Sequence, residues 1–140
     1  MKQAKWRALA VAAGVALLAA GCKGGGSAGG TAAAGKAATV KVTTADRQEA
    51  QNLFQTRCAA CHGQFGRGDG PGAAGLNPKP RNYTDPEWQK VVTDEEIEKA
   101  IVYGGAAVGK SPQMVANPDL QAKPGVVAAL RELVRKFGQM

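Results

Sequence analysis

At 140 residues the chain has room for one domain, and an aromatic fraction of 5 % gives it little bulk for a large protein core. The formal charge of +7 comes from 18 basic against 11 acidic residues, but six of the basic residues precede Thr43; from Thr43 onward the count is 12 against 11, which is no case for a nucleic-acid-binding domain. A single histidine and three cysteines exclude a bis-histidine iron centre and leave too few ligands for a zinc cage.

The chain opens like an exported protein. Lys2, Lys5 and Arg7 precede an uncharged apolar run from Leu9 to Ala20, which suits a signal-peptide core and is short for a membrane-spanning helix. The run ends in Leu18-Ala19-Ala20-Gly21-Cys22. That resembles a bacterial lipoprotein signal, with Ala19 where leucine is usual. The resemblance implies that residues 1–21 are removed, that Cys22 is lipidated, and that the mature protein sits on the periplasmic side of a bacterial membrane, inner or outer. The competing expectation is ordinary cleavage, leaving a soluble protein with a free thiol. Residues 23–42 are mostly Gly, Ala, Ser, Thr and Lys, with no aromatic residue and two valines, too little apolar surface to fold. The segment reads as a flexible tether of about 25 Å average span. Its lysines suit an anionic membrane surface. The folded domain is then expected over residues 43–140.

Within that domain Asp46 and Glu49 suggest a capped helix start, and Ala50, Leu53 and Phe54 fall on one helical face. This helix runs into Cys58-Ala59-Ala60-Cys61-His62, the attachment signature of c-type haem. The spacing has a chemical reason. Two sulfurs must reach two vinyl groups of one porphyrin, and the next residue must send an imidazole nitrogen to the iron. A redox dithiol would belong in a βαβ pattern, and none is present. A glycine- and proline-rich loop follows, from Gly63 to Pro80. Asp85-Pro86 starts the next helix, with Trp88, Val91 and Val92. Trp88 reads as core more readily than as a haem-propionate contact, while Lys79 and Arg81 could pair with propionates, dock acidic partners or simply be solvated. Thr93-Asp94-Glu95-Glu96 is a capping box, read with Glu98 as a solvated helix start; Ile97, Ala100 and Ile101 form the apolar face and Gly104 the end.

Met114 lies 52 residues after His62, in the loop Lys110-Ser111-Pro112-Gln113-Met114. Met1 falls in the expected signal and Met140 is the last residue, so Met114 is the natural sixth iron ligand, although a lone methionine is more often core filler. The last helix begins near Pro124 and carries Val126, Val127, Leu130, Leu133, Val134 and Phe137 as one stripe. No strand pattern is present.

Together these residues resemble a class I, mitochondrial-type monohaem cytochrome c over Thr43 to Met140: the motif from Cys58 to His62 with Phe54 four residues before it, the late Met114, and Leu130 and Leu133 on the final helix. The resemblance implies an all-α fold of about four short helices and loops around one covalent haem c. It also implies an electron carrier for redox-chain proteins, a monomer without enzymatic activity or nucleic-acid partner. In this family a loop carbonyl accepts the proximal histidine's Nδ1–H, here expected between Gly70 and Leu76, with Pro71 first. Ala50 stands where the first helix usually has glycine at its crossing, implying slightly wider packing. Val115 stands where many relatives have proline after the methionine. The alternative reading is a haem peroxidase or a gas or redox sensor in which Met114 is displaced by ligand.

Overall fold

The computed structural model describes residues 40–140, which are helical and contain no strand. The expected signal peptide, Cys22 and the expected tether up to residue 39 lie outside the described residues. No described helix is long and apolar enough to cross a membrane.

The first helical run has three parts: α1 (Thr44–Leu53), a π turn (Phe54–Cys58) and α2 (Ala59–His62). Its cap is Thr43 and not Asp46. The Thr43 hydroxyl accepts from the Asp46 amide at 3.1 Å, and the Asp46 carboxylate accepts from the Thr43 amide at 2.8 Å, a reciprocal box one turn earlier than the sequence suggested. Those bonds to Thr43 hold the exposed Asp46 carboxyl below its ordinary range. Glu49 instead pairs with Lys123. Three further helices follow: α3 (Pro86–Val91), α4 (Asp94–Tyr103) and α5 (Pro124–Phe137). The predicted caps hold: Asp85 accepts from the Glu87 and Trp88 amides, and Thr93 and Glu96 form the second box.

The core forms where α5 packs on α1 and α4. Ala50, Phe54, Ile97, Val102, Leu120, Val126, Val127, Leu130, Val134 and Phe137 are all buried in it. The α5 stripe is as predicted, with Leu133 half-buried at its edge. On α4 the buried pair is Ile97 and Val102, while Ala100 and Ile101 are only half-buried. Trp88 packs against the core, as expected, and stacks on Tyr83 with centroids 5.5 Å apart.

The acidic start of α4 is more than a solvated face. Asp94 binds Arg131 and Arg135 of α5. Arg135 also donates to the Gln89 and Val92 carbonyls at 2.8 Å each, so one guanidinium joins α3, α4 and α5. Burial alone would raise the Asp94 carboxyl, but the bonds from Arg135 and Arg131 outweigh it and hold the pKa below the ordinary value. A depressed folded pKa stabilises the fold above the unfolded value of about 3.9 and ceases to do so as pH falls through the folded value. With Asp94 41 % exposed, screening limits the contribution to about 1 kcal/mol. Urea unfolding of the wild type and Asp94→Asn should therefore differ by about that much at pH 6 and converge as the medium is made more acidic than the carboxylate range. A difference that persists undiminished into strong acid would refute the assignment.

Candidate cofactor site at the end of the first helix

Cys58, Cys61 and His62 occupy positions i, i+3 and i+4 where the first run ends, so a helical turn turns all three to one side. The π turn ends on the first of them, Cys58: the Ala59 amide reaches back to the Phe54 carbonyl, one residue further than in an α-helix. The Thr56 hydroxyl donates to the Asn52 carbonyl at 2.8 Å, a bond that accompanies bending in helices. Both cysteines are free and half-buried. Burial pushes the Cys58 thiol up; the Arg57 guanidinium opposes this only in part.

The loop after His62 is held by close backbone approach. Gly70 donates its amide to the Cys61 carbonyl at 3.1 Å, and a Cβ on Gly70 would lie 2.4 Å from the Ala60 oxygen. Only glycine lets the chain pass so near the motif. Gly66 has φ +68°, and a side chain there would meet the rings of Tyr83 and Phe137 at 2.9 and 2.8 Å.

The His62 ring is 8 % exposed, and its Nδ1 lies 3.3 Å from the Arg81 carbonyl. A carbonyl can only accept, so Nδ1 carries the proton and Nε2 keeps its lone pair. The partner is therefore Arg81, not Pro71 or another residue between Gly70 and Leu76. Three carbonyls of that stretch are engaged elsewhere. The Gly70 carbonyl accepts from Ala73, the Ala73 carbonyl from Leu76 and Lys79, and the Ala74 carbonyl from Lys79. Lys79 thus ties together the Ala73 and Ala74 carbonyls. Arg81 lies over the Trp88 ring at 5.7 Å and 3.9 Å from the Asp85 carboxylate.

Tyr83 is the site residue that sequence reasoning missed. Its hydroxyl is 3.1 Å from His62 Nε2, and the two rings stack with centroids 4.6 Å apart and planes 13° from parallel. The hydroxyl therefore reaches Nε2 over the ring face, whereas the nitrogen's lone pair lies in the ring plane. Burial pushes the Tyr83 hydroxyl far above its ordinary pKa, so it stays protonated. Burial lowers the His62 pKa and the Arg81 bond only partly offsets this, which keeps the ring neutral. The signal available in the sequence was one aromatic residue in the short stretch between Pro80 and Pro86.

Met114 is half-buried in the loop between two 3₁₀ turns, Gly105–Val108 and Pro118–Ala122. Its amide donates to the Ser111 carbonyl and its own carbonyl accepts from Gly105. The structure brings together Cys58, Cys61 and His62; the group facing His62 Nε2 is Tyr83, not Met114. Among the described residues no group of three His, Cys, Asp or Glu could hold a bare metal ion.

These donors fit haem c. The two thiols are free and three positions apart, and the neighbouring imidazole is neutral, oriented through Nδ1, and has an available Nε2 lone pair. A donor set this small suits a metal that arrives inside a porphyrin. The all-helical domain and this turn define a c-type cytochrome. The family model described as Cytochrome c matches residues 47–131, and the chain belongs to the cytochrome c family, whose members transfer electrons by means of haem. Its cofactor is haem c, held covalently through Cys58 and Cys61. No curated protein gave a significant match.

Proposed function

We propose that this chain is a lipid-anchored, single-haem class I cytochrome c that carries single electrons between redox proteins on the periplasmic side of a bacterial membrane, as a monomer, with His62 and Met114 as the two axial ligands. When bound, haem c supplies a one-electron ferric/ferrous couple. The observation that carries the reading is the His62 environment. The Arg81 carbonyl holds the Nδ1 proton, burial keeps the ring neutral, and a neutral imidazole with a fixed tautomer is the form that ligates iron. Met114 supports the second ligand as the single methionine between Met1 and Met140, held in a closed loop. Two protein ligands favour outer-sphere transfer over substrate chemistry, and thioether sulfur raises the potential. The lipid anchor rests on Cys22 and the composition of residues 23–42, which together would keep the domain at a membrane yet free to swing between partners.

Met114→Ala should give a high-spin ferric spectrum, a lower potential and new reactivity toward carbon monoxide. An unchanged spectrum would return Met114 to a packing role. Wild-type protein that is already high-spin and responds to peroxide would favour the enzymatic or sensory reading. Release from membranes should need detergent; recovery in the soluble fraction would defeat the anchor at Cys22.

A further inference from the structure

The Met114 loop is closed by backbone bonds to itself and to α4. Gly105 donates to the Met114 carbonyl at 2.9 Å, and Asn117 donates its amide to the Val102 carbonyl at 2.9 Å. The Asn117 side-chain amide adds a bond to the Ile101 carbonyl at 2.8 Å. Val115, with 72 % of its surface exposed, adds no anchorage. None of these bonds reaches the helix that carries Cys58 and His62.

Arg57 does. It immediately precedes Cys58, and its Nη1 lies 3.1 and 3.0 Å from the two carboxylate oxygens of Asp119 and 3.5 Å from Asn117 Oδ1. Among the described residues it is the only side chain of the run from Thr44 to His62 hydrogen-bonded to the segment between Met114 and Leu120. Its partners stand three and five residues after Met114, at the loop's exit.

We propose that Arg57 is a positioning residue: it straps the exit of the Met114 loop to the helix bearing the haem-attachment turn, and so slows loop opening and exchange of the sixth ligand. The inference rests on the assignment of Met114 as that ligand. Opening must part a guanidinium from a carboxylate that receives it on both oxygens. With Arg57 and Asp119 45 % and 49 % exposed, the strap is screened by salt and modest in strength. It supplies from a distance the restraint that proline after the methionine would give locally.

The test uses the full-length ferric holoprotein as wild type, Arg57→Ala, Asp119→Asn and the double variant. Amide exchange at Gly105 and Asn117, and cyanide binding at saturating cyanide, should each be about two- to fivefold faster in either single variant, as expected for an exposed charge pair. The double variant should be no faster than the singles, Arg57→Lys should recover part of the loss, and 1 M sodium chloride should bring the wild type toward the variants. Unchanged amide exchange would show that Arg57 straps nothing. Faster exchange with unchanged cyanide binding would show a strap that does not govern the ligand, and the proposal would fall. Met114→Ala separates the two readings. If it leaves the ferric spectrum of the wild type, the sixth-ligand assignment fails by itself, and amide exchange alone decides whether the strap exists.

Discussion

The paired substitution Cys58→Ala with Cys61→Ala is expected to abolish covalently held haem altogether, so that acidified organic solvent extracts from the protein any haem that remains. Both thioether bonds need a cysteine sulfur, and Cys58 and Cys61 are the only cysteines among the described residues. Stability should fall with attachment. A group bound only by the folded state stabilises it, and a covalent group cannot escape by dilution. The same turn anchors the loop through Gly70 to Cys61 and the imidazole through Arg81, so this part of the domain should loosen first. Thermal unfolding with far-UV circular dichroism measures the effect. A double variant that melts with the wild type would mean that the protein core alone sets the stability.

Phe137→Ala should cost about 3–5 kcal/mol in urea unfolding. The ring is 7 % exposed and lies 5.1 Å from Phe54 and 6.3 Å from Tyr83, centroid to centroid. Gly66, with no side chain to swing inward, forms one wall, so the cavity cannot readily collapse and the cost should lie toward the upper end. The consequence extends beyond stability. Tyr83 loses a stacking neighbour, and Tyr83 is what stacks on His62. Val91→Ala, at a position 75 % exposed, should change stability by less than about 0.5 kcal/mol. Equal effects from the two substitutions would mean that the aromatic cluster does not organise the core.

The legible parts of this protein are those with local causes. The stripe from Val126 to Phe137, the Asp85 cap and the box from Thr93 to Glu96 each follow from residues within a few positions of one another, and the structure has all three. The cysteine–histidine turn was legible because its chemistry fixes its spacing. The errors have a common source as well. The acceptor for His62, the tie made by Lys79, the stacking of Tyr83 and the Asp94 pairs all depend on the path of a loop or on the meeting of distant helices, and neither leaves a period in the sequence. The first cap shows a smaller failure: Thr43 and Asp46 use the same three-residue spacing as Asp46 and Glu49, and composition alone did not separate them.

The packing of α5 on α1 also dictates when the domain can become whole. Arg47 meets Glu132 across 85 residues of sequence, and Ala50 and Phe54 are buried where the last helix lies. That helix comes after the other described helices in the chain. Until Pro124 and its successors are in place, the first helix has its thiols but nothing on which to lay its apolar side, and contacts of such long span form only after an entropic closure cost. A copy cut short near Lys123 would therefore expose a greasy, thiol-bearing helix, an easy target for proteolysis. The first helix can bury its apolar side only when the fourteen-residue α5 is present.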